Sequence, residues 1–169
     1  MNPIDNILNK TTCAFTAGSS AKICSHRERV TPEKALTPHS YRVAYPKVNY
    51  GIYGLAHRIA YSLLEREPTL LWITEWGIWP SSENLHLYYR LRRSYGNSDL
   101  LEEAPGHLFL GFETEDLASF LQLSMLNGWG GYVLTHANYV NAFFSHDECV
   151  DFTASHEQNL DELKNEFAR

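Results

Sequence analysis

Glu75, Glu113 and His136 are two carboxylates and an imidazole, each placed just after or at the end of an apolar run. An imidazole between two carboxylates is suited to general acid–base work, or to holding a metal through its ring nitrogen. If the runs are parallel strands, all three lie at carboxyl ends, where α/β sheets collect their ligands. No nucleophile or complete ligand set accompanies them, so an equally simple reading has Glu113 and Thr114 starting a helix and His136 occupying a turn. His146-Asp147-Glu148 is a second acidic and imidazole cluster. Neighbours in sequence do not share a helix face and chelate one ion poorly, and Ser145-x-x-Glu148 matches a capping box. His57 and His86 lack the partner four residues away that a zinc-binding helix requires. Gly128-Trp129-Gly130-Gly131 follows a helix and precedes a strand, the reverse of the order that cradles phosphate. Neither GxSxG nor a Walker A pattern occurs, which weakens hydrolase and NTPase readings.

The most distinctive segment is Trp72-Ile73-Thr74-Glu75-Trp76-Gly77-Ile78-Trp79-Pro80, with three tryptophans in a short stretch. Trp76 and Trp79 fall at a strand end and in its loop, and Tyr88, Arg92 and Tyr95 belong to the helix that follows. Trp, Tyr and Arg dominate the energetics of protein interfaces. These five residues form the expected binding surface; the alternative is a tryptophan-rich minor core beneath that helix. Arg90, Arg92 and Arg93 beside tyrosines would also suit a single-stranded nucleic acid, but the acidic character of the chain opposes that use.

Local patterns supply the elements that position these residues. Tyr41 to Val48 reads as a short strand. Ile52, Leu55, Ile59 and Leu63 recur at helical spacing, and Pro68 closes that helix. Leu70 to Thr74 is the compact apolar run of a buried strand. A serine cap and Glu83 open a helix carrying Leu85, Tyr88, Leu91 and Tyr95 up to Gly96. His107 to Phe112 reads as a strand, and Thr114 opens a helix with Leu117, Phe120, Leu121 and Met125, stopped at Asn127-Gly128. Gly131 to His136 and Val140 to Phe144 read as strands, and Ser155-x-x-Gln158 opens a last helix with Leu160, Leu163 and Phe167. This alternation predicts right-handed crossovers and an α/β fold: a small mixed sheet, mostly parallel and about four-stranded, flanked by helices. Its fourth strand should run antiparallel at an edge, because three residues cannot make a crossover. That arrangement would put His146 at the sheet end opposite Glu75 and His136.

The 169 residues, 44% hydrophobic and 20% charged, suit one globular domain over residues 41–169, preceded by an extended, irregular, basic arm over residues 1–40. No apolar run is long enough for a membrane span, and Met1-Asn2-Pro3-Ile4-Asp5 lacks the start of a signal peptide. Cys13, Cys24 and Cys149 form no CxxC pair, so a cytoplasmic protein without a disulfide framework, metal or cofactor is expected. The net charge of −6 hides a division: residues 1–66 hold nine basic against four acidic residues, and residues 94–169 hold two against thirteen. An acidic half repels a phosphate backbone and attracts a basic partner. Together these features favour a non-enzymatic protein-binding module, such as an inhibitor, immunity or accessory protein. The alternatives are self-association and a small hydrolytic, metal-assisted enzyme using Glu75, Glu113 and His136.

Overall fold

The computed structural model describes residues 22–24, 39–76, 85–96, 98, 106–135 and 140–167. Seven strands, β1 (Lys22–Cys24), β2 (His39–Ala44), β3 (Thr69–Glu75), β4 (Gly106–Phe109), β5 (Gly130–Thr135), β6 (Asn141–Ser145) and β7 (Cys149–Ala154), form one sheet in the order β1-β4-β3-β5-β6-β7-β2. Among the described residues four helices accompany it: α1 (Asn49–Leu64), α2 (Leu85–Ser94), α3 (Thr114–Leu126) and α4 (Glu157–Phe167). No helix among the described residues is long and apolar enough to cross a membrane.

Among the described residues every hydrogen-bonded strand pair is antiparallel, which corrects the expected mostly parallel, four-stranded sheet. The reason lies in what is inserted between strands. β4 and β5 each run antiparallel to β3, so they point the same way, but β3 sits between them. In the same way β2 and β3 share a direction across α1 with three strands intervening. A helix between two strands fixes neither their relative direction nor their adjacency: β3 and β4, with α2 between them in sequence, are antiparallel neighbours.

A second correction concerns residues 145–154. Ser145 and Cys149 pair across a three-residue turn, and Glu148 takes a positive φ of 57°. A left-handed residue closing a three-residue loop is a common hairpin solution. Ser145 therefore serves a turn and not a helix, with its Oγ accepting from the Asp147 N–H at 3.3 Å. β7 follows with the period of two that a half-buried strand requires: Val150, Phe152 and Ala154 point inward, while Asp151 and Thr153 are half-buried.

The core lies between the sheet and the helices. α1 buries Ile52, Leu55, Ile59 and Leu63, the stripe expected from their spacing, and Ala56 and Ala60 lie buried among them. α3 buries Leu117, Phe120, Leu121 and Met125, and α4 buries Leu160 and Leu163. From the sheet, Leu71, Ile73, Phe109, Val133, Phe144, Val150 and Phe152 join the same cluster. On the opposite face Leu70, Trp72 and Leu134 form a smaller cluster with Leu108 and Tyr132. Of the 1–40 segment, β1 and His39–Ser40 are described, and both belong to the sheet.

Candidate functional site

Strand register fixes where the expected chemical residues lie. Thr69 stands opposite both Phe109 and Thr135, so β4 and β5 finish at the end of the sheet where β3 begins. Glu75, opposite Gly130, is at the other end. Glu113 follows β4 and is therefore separated from Glu75 by the length of the sheet. Its carboxylate is buried and folds back to accept the Leu110 N–H at 2.7 Å, while its other oxygen has no protein partner. Burial pushes this carboxyl above the ordinary glutamate range, with the backbone bond opposing. His136 lies outside the described residues. Thr135 before it is buried, its hydroxyl donating to the Val140 carbonyl at 3.2 Å.

Glu75 meets His146 instead. Its Oε2 lies 3.5 Å from His146 Nδ1, and His146 Nε2 lies 3.7 Å from Asp147 Oδ1. The separation expected between Glu75 and His146 does not occur, because β3 and β6 both run antiparallel to β5 and so end together. The group is half exposed, and at these separations it is a loose ion-pair cluster on the surface. Among the described residues no set of three or more His, Cys, Asp or Glu side chains is arranged to hold a metal.

The tryptophan–tyrosine segment turns inward. Tyr88 and Arg92 on α2 are each only 4% exposed. Trp76 is half-buried, its ring centroid 5.1 Å from that of Tyr88 and 5.4 Å from that of the fully buried Trp129. Tyr95 is half-buried and lies across His107 at 5.6 Å, with Phe120 at 5.9 Å. Trp79 lies outside the described residues. Positions 88, 92 and 95 share one helical face, and its rings pack on Phe120 of α3, on Trp129 and on His107 of β4. Tyr88 and Trp129, with Trp76 partly buried against them, belong to the main core cluster, while Trp72 lies in the smaller cluster on the opposite face of the sheet. His107, also buried here, has its imidazole depressed to about 3 by burial and, secondarily, by the Arg92 charge.

Among the described residues the most exposed aromatic side chains lie on α1 and just ahead of α3. Tyr50 is 83% exposed, Tyr53 42% and Tyr61 51%, all on α1, and Phe112 ahead of α3 is 74% exposed. At 100° per residue, positions 50, 53, 57 and 61 fall within an arc of about 80°, opposite the buried stripe of the same helix. The signal was present in the sequence: tyrosines recur on the face that the apolar spacing of α1 assigns to solvent. The α3 residue Glu115 ties this face to its neighbour. The Tyr53 hydroxyl donates to Glu115 Oε2 at 3.0 Å, and His57 Nε2 lies 2.9 Å from Oε1. These partners hold the Glu115 carboxyl below its ordinary range, the Tyr53 hydrogen bond contributing most. Farther along, the Tyr61 hydroxyl donates to Glu65 at 3.2 Å. Gly111, next to Phe112, lies against the end of α1 near the Leu64 carbonyl.

The charge division along the chain is partly resolved by folding. Arg42 makes a two-pronged contact with Asp151 at 2.6 and 2.8 Å, and Arg66 reaches Glu162 at 3.0 Å and Glu166 at 3.1 Å. Basic residues of the first half thus neutralise acids of the second.

Comparison with known protein families, with curated proteins and with solved structures finds no match to this chain.

Proposed function

We propose that this chain is a non-enzymatic protein-binding module, acting as an inhibitor, immunity or accessory protein, and that its docking surface is the aromatic face of α1 with Phe112. The observation that carries the reading is the exposure of Tyr50, Tyr53 and Tyr61 along one face of α1, with Phe112 exposed just ahead of α3, whose Glu115 is bonded to that face. Aromatic rings are rarely left in water as a group without a partner to cover them, and Tyr is among the residues that anchor interfaces. The face rests on α1 and α3, whose inward sides are locked into the core, so it is presented rigidly at small entropic cost on binding. The enzymatic alternative required Glu75, Glu113 and His136 in one site. Glu75 and Glu113 stand at opposite ends of the sheet, and no reaction step follows from them. A cytoplasmic setting accords with the buried free thiol of Cys149.

The test is affinity capture from source-cell lysate with the wild type and a Tyr50→Ser, Phe112→Ser double variant, followed by binary reconstitution with any purified partner. A stoichiometric complex formed by the wild type and lost in the folded double variant supports the reading. Equal capture by both proteins, or none by either, overturns it.

A further inference from the structure

Resting on that reading, we infer that the α1 face receives an arginine-bearing segment of its partner, with guanidinium groups stacking on Tyr50, Tyr53 and Tyr61 and pairing with Glu115 and Glu65. The face combines two features that recognise this chemistry. Tyrosine rings exposed on one arc offer negative quadrupole faces, to which arginine adds planar stacking. Carboxylates stand at the rims of the same rings, Glu115 against Tyr53 and Glu65 against Tyr61. The Glu115 side chain is 70% exposed. A carboxylate offers about four lone-pair directions, and Tyr53 with His57 occupies one on each oxygen, leaving outward directions for a donor.

Among the described residues, the cations nearest this face are already engaged or lie beyond its end; Arg58, on α1 itself, donates its Nε to the Gly54 carbonyl at 3.4 Å. Arg58 lies over the Phe167 ring, 5.3 Å from its centroid, and donates to the Phe167 carbonyl at 3.3 Å. Arg66 is held by Glu162 and Glu166. Lys47 precedes α1, beyond the N-terminal end of the stripe. Among the described residues the free charges of this face are thus the carboxylates of Glu115 and Glu65, which repel a phosphate backbone. The fold already uses both halves of the proposed recognition, in the Arg42 fork on Asp151 and in Arg58 over Phe167. From Tyr50 to Tyr61 the stripe is about 16 Å long, the reach of about five residues of extended chain. Alternate residues of such a segment fall on one side, so two arginines separated by one residue would each meet a different turn of α1.

The probe is the acetylated, amidated pentapeptide Gly-Arg-Gly-Arg-Gly, titrated against full-length protein carrying 13C-labelled tyrosine, with lysine and citrulline versions as controls. Ring signals of Tyr50, Tyr53 and Tyr61 should move with the arginine peptide. Affinity should be at least threefold weaker with lysine and absent with citrulline, and about tenfold weaker in Glu115→Gln. Tyr50→Ser, at a site with little packing to lose, supplies a second variant with the same expected weakening. Equal shifts from the citrulline peptide, no shift from the arginine peptide, or unchanged affinity in both variants overturns the inference. So does concentration-dependent self-association abolished by Tyr50→Ser, which would make a second copy the occupant. If a captured partner is lost on Tyr50→Ser, Phe112→Ser but is indifferent to Glu115→Gln and to salt, the docking surface stands and arginine recognition fails.

Discussion

Replacing His107 by phenylalanine should remove a large share of the acid sensitivity of this fold. His107 is 2% exposed on β4, with its ring centroid 4.8 Å from that of Phe120, 5.5 Å from Phe109 and 5.6 Å from Tyr95, and its Nε2 has no partner. Its imidazole titrates near 3 in the folded chain, against 6.5 for an unperturbed histidine. A depressed folded value means that the unfolded chain takes up the proton first. The stability associated with neutral His107 is therefore fully present above about pH 6.5 and lost as pH falls toward about 3. Between about pH 7.5 and about pH 5 the loss is about 2 kcal/mol by linkage. Phenylalanine abolishes this titration and removes an unpartnered buried nitrogen, the kind of group that costs about 1–3 kcal/mol. Burial of Glu113 works in the opposite direction, because its raised carboxyl pKa favours the folded state as pH falls. That contribution is common to both proteins and cancels in their difference. Urea unfolding of wild type and His107→Phe at the two pH values measures the effect. The variant should be at least as stable as wild type near neutrality and should lose about 2 kcal/mol less on acidification. Parallel losses would refute the assignment of a buried neutral imidazole.

Other substitutions probe the packing and the sheet-end cluster. A methyl group on Gly131 would run into the Trp72 carbonyl oxygen and stand 2.9 Å from Ile73 Cα, where backbone has to move. Gly131→Ala should therefore cost about 2–3 kcal/mol in denaturant unfolding. Gly130→Ala meets mainly the Glu75 side chain, whose carboxylate can swing away, and should cost at least about 1 kcal/mol less. Trp129→Ala empties a fully buried site against Trp76 and Tyr88 and should cost about 3–5 kcal/mol, with midpoints read by circular dichroism. His146→Ala breaks only the half-exposed contacts to Glu75 and Asp147, so its unfolding midpoint should stay within about 0.5 kcal/mol of wild type.

Local pattern made much of the architecture legible. The spacing of Ile52, Leu55, Ile59 and Leu63 marks a helix and also its buried face, because the 3.6-residue period links position to direction. The same logic placed α3 and its inward Leu117, Phe120, Leu121 and Met125. Val150, Phe152 and Ala154 carried an equally valid strand signal. It was hidden by two capping-box matches, one of which is a hairpin turn. The tyrosines of α1 were also legible, since any residue opposite a buried stripe faces solvent unless another element covers it. The density of tryptophans around Trp76, by contrast, carries no direction.

Strand adjacency and the end of the sheet at which each loop emerges follow from hydrogen bonds between segments far apart in sequence, such as β2 with β7 and β3 with β5. No periodicity within one segment encodes those pairings. That is why Glu75 and Glu113 are separated while Glu75 and His146 meet. It is also why Tyr88 and Arg92 are buried: their helix has polar and aromatic residues on both sides, and its choice of face depends on Trp129, Phe120 and His107, which other elements bring beneath it. Composition and periodicity settle which residues avoid water within each element, because that preference is local. Long-range pairing settles which elements share an end, an edge or a face, because its free energy arises only when distant segments meet.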